Sequence, residues 1–134
     1  MRTAVLAVSF GTTHLDALRA DIVPVEEALA DAFPGCPVYR AFTSGVVRRR
    51  LRERQNMHVD SVEEALARIR SDGMGRVVVQ PTLLIPGEEY DGLCAALTAA
   101  DGLEVRAGRP LLYGEDDLDG VIAALRQAYP VGED

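Results

Sequence analysis

The sequence predicts an α/β domain: a four-stranded parallel sheet flanked by helices. Three observations lead there. Apolar, β-branched runs alternate with segments of helical period, the pattern of strands joined by crossover helices. Within the runs, apolar residues follow one another directly, as in strands buried on both faces. Glycine, proline and Ser/Thr fall at the joints between segments. All three are clearest in residues 76–91. There Arg76-Val77-Val78-Val79-Gln80-Pro81-Thr82-Leu83-Leu84-Ile85 is a third strand, Pro86-Gly87 a turn, and Glu88, Glu89 and Asp91 the acids of a helix start.

In chain order, Thr3–Phe10 is the first buried strand, and Gly11-Thr12-Thr13-His14 is the loop beyond its carboxyl end. A helical segment follows with the stripe Leu15, Leu18, Ile22, Val25 and Leu29. Pro24 either kinks this helix or sits in the first turn of a second one beginning near Asp21. Phe33-Pro34-Gly35 stops it. Pro37–Phe42 is the second strand, and Thr43 or Ser44 caps a helix carrying Val46, Val47 and Leu51. Residues 55–60 connect. Ser61 and Glu64 form a capping box, and the helix they open ends at Asp72-Gly73. After the third strand, a helix from about Glu88 buries Leu93, Ala96 and Leu97. Leu103–Ala107 is a short fourth strand, alternating enough to be an edge. Pro110–Tyr113 extends past it, and a last helix from Glu115 ends at Tyr129-Pro130. With right-handed crossovers the expected strand order is 2-1-3-4, a flavodoxin-like topology.

Composition narrows the function. At 134 residues and 14.5 kDa the chain is one domain, residues 1–134, large enough for a core. A mean hydropathy of +0.03 fits a soluble protein, and no apolar run approaches the roughly 20 residues a bilayer requires. With no signal-peptide pattern, a cytoplasmic location is expected. Cys36 and Cys94 have no motif spacing and read as reduced thiols. The net charge of −7 argues against nucleic acid or a membrane surface as partner. All 14 basic residues are arginine. Without lysine there is no Walker A motif, no Schiff base and no lysine general base. Arginine is suited to bidentate carboxylate or phosphate contacts.

Candidate site residues lie where an open α/β sheet binds ligands, beyond the carboxyl ends of its strands. Ser9, Phe10, Gly11, Thr12, Thr13 and His14 crown strand one. Their glycine, hydroxyls and backbone N–H groups can hold an anion, or can form an ordinary βα turn with a threonine cap. His14 is a solvated loop histidine, or a metal or proton partner for Glu89 across the adjacent strand ends. His58 lies in a loop away from this edge and receives no role. The five arginines within residues 48–54 form a solvated face, or Arg48 or a neighbour meets a ligand's carboxylates. Glu88 and Glu89 point about 100° apart on a helix, so they are no paired acid/base unit. One can face the crevice. No His-x-x-x-His or Cys-x-x-Cys metal motif is present.

Six fragments, in order and at similar spacing, resemble a known family: Val8-Ser9-Phe10-Gly11-Thr12, Arg40-Ala41-Phe42-Thr43-Ser44, Leu51-Arg52-Glu53-Arg54, Glu64-Ala65-Leu66, Val79-Gln80-Pro81 and Ile85-Pro86-Gly87-Glu88-Glu89-Tyr90. The chain is similar to the anaerobic sirohydrochlorin cobaltochelatases of cobalamin biosynthesis, and so to the N-terminal half of a class II chelatase. The resemblance implies a chelatase-like half-domain and ATP-independent insertion of a divalent metal into a tetrapyrrole held between two half-domains. It implies Glu89 as the catalytic and metal-binding carboxylate; His14 is a candidate further metal ligand through its expected position near Glu89, not through the resemblance. Ser9, Phe10, Gly11, Thr12, Thr13, His14, Gly87, Glu88 and Arg48 would line the substrate. Co2+ enters as metal substrate, and no cofactor is permanently bound. The partners implied are sirohydrochlorin, a divalent metal, and a second copy or a second half-domain. In the family the metal histidines lie in that second half, one within Gly-His-Gly, and neither stands in this sequence. Leu83 stands where some relatives carry histidine.

Two other functions stay open. The chain can be a non-catalytic tetrapyrrole- or metal-binding half. It can also be a mononucleotide binder using residues 9–13, although 5% aromatic content with no tryptophan is poor provision for a flavin ring. A half-domain with an open apolar edge is expected to self-associate.

Overall fold

The computed structural model describes residues 2–82, 88–100 and 102–107, with the backbone alone at 88–90. Strand β1, Thr3–Ser9, is buried at every residue. The cause is its place inside a parallel sheet, between β2 (Val38–Phe42) and β3 (Arg76–Pro81). β3 in turn pairs with β4, Glu104–Ala107, giving the order β2-β1-β3-β4 that the alternating pattern predicts. β4 is a half-buried to exposed edge strand and starts one residue later than the sequence suggests.

Side-chain alternation splits the core in two. Ala4, Leu6, Val8, Ala41, Val77 and Val79 face one side and meet Val62, Ala65, Leu66, Ile69, Leu93 and Leu97. Val5, Ala7 and Val78 face the other and meet Val25, Leu29, Ala32 and Phe33. Each of the larger side chains among them, Val, Leu, Ile or Phe, contributes about 1.5–3 kcal/mol by leaving water. A third cluster, Leu18, Ile22, Phe42, Leu51 and Val59, closes the carboxyl end of β2.

The stretch around Pro24 resolves into three pieces: α1 (Leu15–Ala17), a π-helical turn (Leu18–Ile22) and α2 (Val23–Ala32). Pro24 lies in the first turn of α2. Both alternatives hold in part, with the second helix beginning at Val23 rather than near Asp21. Proline has no N–H, and in an unbroken α-helix its ring would collide with the carbonyl four residues back. Val23 N–H instead reaches Leu18 O, five back, and this wider turn absorbs the misfit.

The remaining boundaries follow local chemistry. Ser44, not Thr43, caps α3 (Gly45–Gln55), accepting the Val47 N–H at 3.1 Å. Asn56 ends that helix in the left-handed region, φ 51°. Ser61 and Glu64 close the expected box on α4 (Val62–Ser71), with reciprocal bonds of 3.2 and 2.9 Å. Helix α5 spans Glu88–Thr98. The strand continuation and turn assigned to 83–87, the segment at Pro110–Tyr113, and the helix from Glu115 to its stop at Tyr129-Pro130 lie outside the described residues. No described helix is long and apolar enough to cross a membrane. Cys36 and Cys94 are each half-buried.

Candidate functional site

Register sets the site. Ser9 pairs with Phe42, and Val8 with Pro81, so β1, β2 and β3 end side by side. The loops beyond them stay stitched together. Ser9 O accepts the Thr43 N–H at 2.8 Å, Phe10 O accepts the Ser44 N–H at 3.2 Å, and Val8 O accepts the Thr82 N–H at 2.6 Å. These ends form the crest where a doubly wound sheet takes its ligands.

On the β1 part of the crest, Ser9 is buried and Phe10 is 44% exposed. Gly11 has φ +106°, and a Cβ there would stand 2.6 Å from Phe42 Cδ2. Only glycine meets both demands. The Thr12 hydroxyl accepts the His14 N–H at 3.1 Å, while Thr13 is half-buried and the His14 side chain exposed. The Thr12 contact is a local side-chain turn two residues long, and the N-cap position of α1, His14, receives no side-chain cap.

On the β2 part, Arg49, Arg50, Arg52 and Arg54 are exposed on α3, and Arg48 is half-buried. Arg48 lines a cavity of about 380 Å³ with Phe42, Thr43, Ser61, Val62, Glu63, Gly92, Leu93 and Ala96. Arg48 Nε and Thr43 Oγ1 are buried there without a hydrogen-bond partner among the described residues. The nearest carboxylate oxygen to the guanidinium among the described residues is Glu64 Oε1, 3.9 Å from Nη1. At that distance, with both groups partly exposed, the attraction is worth at most about 1 kcal/mol.

Glu88 and Glu89 occupy the first turn of α5, as the acidic start predicted. By helical spacing position 89 shares a face with Gly92, Leu93 and Ala96, all cavity-lining residues. The Glu88 and Glu89 side chains, Gly87 and Leu83 lie outside the described residues, and with them the expected approach of His14 to Glu89.

The connecting loop before α4 holds a feature that sequence reading passed over. It lies along the outer edge of β2, where Asp60 O accepts the Phe42 N–H at 3.0 Å. The buried Asp60 carboxylate binds Arg68 through both oxygens, at 2.8 and 3.2 Å, and lies 2.8 Å from His58 Nε2. These bonds, Arg68 first, hold its carboxyl below the usual range against the opposing effect of burial. His58, Asp60 and Glu64 are the one group of metal-capable side chains gathered among the described residues. Their surroundings oppose a cation. Arg68 occupies Asp60, Glu64 is held by the Ser61 N–H, and the positive end of α4 lies beneath them. An aspartate directly before a capping box, followed by an arginine at 68, was the available sequence signal. Thr43 was read only as a cap candidate, because nothing local shows that its hydroxyl would be left over.

Comparison with known proteins identifies the family. A model of the family described as cobalt chelatase (CbiK) matches residues 3–134. The sirohydrochlorin cobaltochelatase of Salmonella typhimurium is 36% identical over 132 residues, which is 97% of this chain and 50% of that protein. The sirohydrochlorin cobaltochelatase CbiKC of Nitratidesulfovibrio vulgaris is 34% identical over 135 residues, 98% of this chain and 47% of that protein. The chain thus spans about half the length of the curated relatives it matches.

Proposed function

The chain belongs to the cobalt chelatase (CbiK) family, and from that premise we propose that it is one lobe of a chelatase inserting Co2+ into sirohydrochlorin. The observation that carries the reading is the family match across residues 3–134. The crest geometry suits it. Three strands end side by side, and Gly92, Leu93 and Ala96 of α5 share a cavity with Phe42 and Thr43 at the end of β2, so in the proposal a macrocycle lying over the crest has position 89 at its rim.

Inserting a divalent metal into a free-base ring displaces two pyrrole protons. In the proposed mechanism the Glu89 carboxylate accepts them and draws the incoming cation toward the ring. His14, exposed at the head of α1, supplies a second ligand for the metal substrate. The exposed Phe10 offers a flat apolar face for the macrocycle, and the backbone N–H groups of residues 11–13 and Arg48 meet its acidic substituents. Ser9, Gly87 and Glu88 shape the rim. The imidazoles that cobalt favours would come from an opposing half-domain. Phe10 and Val46, 44% and 48% exposed near the same crest, are the apolar surface that such pairing would cover.

Mixing the 134-residue chain with sirohydrochlorin and Co2+ tests the proposal. Expected is a spectral shift of the macrocycle and metallation faster than in buffer, lowered by roughly tenfold or more in Glu89→Ala. Metallation no faster than buffer, with or without a second half-domain added, would remove the catalytic reading. Tight binding without turnover would instead identify a tetrapyrrole carrier. Sedimentation should show self-association at micromolar concentration; a single monomeric species would count against pairing through Phe10 and Val46.

A further inference from the structure

We propose that the cavity between the end of β2, α3, α4 and α5 is a carboxylate subsite whose donors are Arg48 Nε–H and the Thr43 hydroxyl. The large majority of buried side-chain polar atoms in folded proteins find a partner. Here two without one among the described residues belong to side chains that line a single cavity. The Thr43 N–H is already bound to Ser9 O, so the hydroxyl is the group left over. Arginine does not deprotonate at working pH, so its buried N–H calls for an acceptor, and an anionic acceptor makes the stronger bond. Nε–H and a neighbouring Nη–H form a planar fork matching two carboxylate oxygens.

Size limits the occupant. A cavity of about 380 Å³ sits at the low end of ligand pockets. It admits one acidic arm with ordered water, not a macrocycle. Its lining includes Gly92 and Leu93, one turn beyond position 89 on the same face of α5. A tetrapyrrole over the crest could place an acetate or propionate arm in the cavity while its ring stays at the rim. Glu63, exposed on the cavity wall, opposes an anion and sets the strength of the site. That the carboxylate belongs to a tetrapyrrole rests on the proposed function; the donor pair does not.

The Arg48 Nε–H signal in a 1H–15N spectrum of the chain, identified by its loss in Arg48→Met, reads the site directly. Sodium propionate should shift it saturably. Free sirohydrochlorin should shift it and its methyl-esterified form should not. Arg48→Met should weaken the free acid about 10–100-fold. Thr43→Val, isosteric and a guard against misfolding, should weaken it severalfold, and Glu63→Gln should tighten it. No shift with propionate, together with wild-type affinity in Arg48→Met, overturns the subsite. A response to inorganic phosphate alone overturns the carboxylate assignment. A propionate response without macrocycle binding keeps the subsite and removes the tetrapyrrole reading.

Discussion

The crest has two parts that differ in how completely their polar groups are used. Beyond β1, Gly11 fits against Phe42 and the Thr12 hydroxyl is bound to the His14 N–H. Beyond β2, Ser44 is used as a cap, yet the Thr43 hydroxyl and Arg48 Nε are left without partners among the described residues, in side chains that line one cavity. The β1 part has the sequence of an anion loop, with its glycine and two threonines, and its Thr12 hydroxyl is taken within its own loop. The β2 part has the sequence of a charged surface helix, and it holds unused donors. A residue's capacity to bind a ligand is what remains after the fold has taken its share.

The largest expected effect breaks the closed part. Gly11→Ala should destabilise the protein by about 2–4 kcal/mol, combining a disfavoured positive φ with a Cβ forced onto the Phe42 ring. Chemical denaturation measures it. A loss under about 0.5 kcal/mol would mean that the ring and loop yield easily and that the β1 crest is less tightly built than described.

Next is the hub flanking the open part. Asp60→Asn should cost about 1–2 kcal/mol at neutral pH, the exposure of Arg68 keeping the figure low. Asp60 has a lowered carboxyl pKa in the folded state. Its stabilisation is therefore present above the unfolded value, near 4, and is lost as pH falls through the folded one. The stability gap between the wild-type chain and its Asp60→Asn variant should accordingly shrink below about pH 4. A gap constant with pH would rule out the charge as its source.

The sharpest comparison has the smallest energies. Thr12→Val should cost about 0.5–1 kcal/mol, because the His14 N–H loses its acceptor. Thr43→Val should be neutral or slightly stabilising, because it removes a buried hydroxyl that has no partner among the described residues. Equal costs at the two sites would erase the distinction between the two parts of the crest.

Much of the fold was legible because its signals are local. The run Val77-Val78-Val79, the Ser61/Glu64 box, the acids opening α5 and the Gly73 stop, φ +87°, each act within a few residues. Pro24 was ambiguous for the same reason: its conflict is local, but the π turn that resolves it depends on Leu18 and Ile22 being drawn into the cluster around Phe42. Within the site, the turn at Gly11 was legible, whereas its contact with Phe42 comes from a strand about thirty residues away and was not. Asp60 reads as a loop acid until Arg68 and the edge of β2 surround it.

By itself, then, the order of residues determined the alternation of strand and helix, the caps, and the positions at which the chain turns back, since each rests on backbone preference and side-chain period over short spans. Only the assembled sheet decided that Thr43 and Arg48 would share one cavity and that Gly11 would lie against the Phe42 ring. Hydrogen-bond partners are assigned by distance in space, and that distance does not exist until β1 and β2 lie in register.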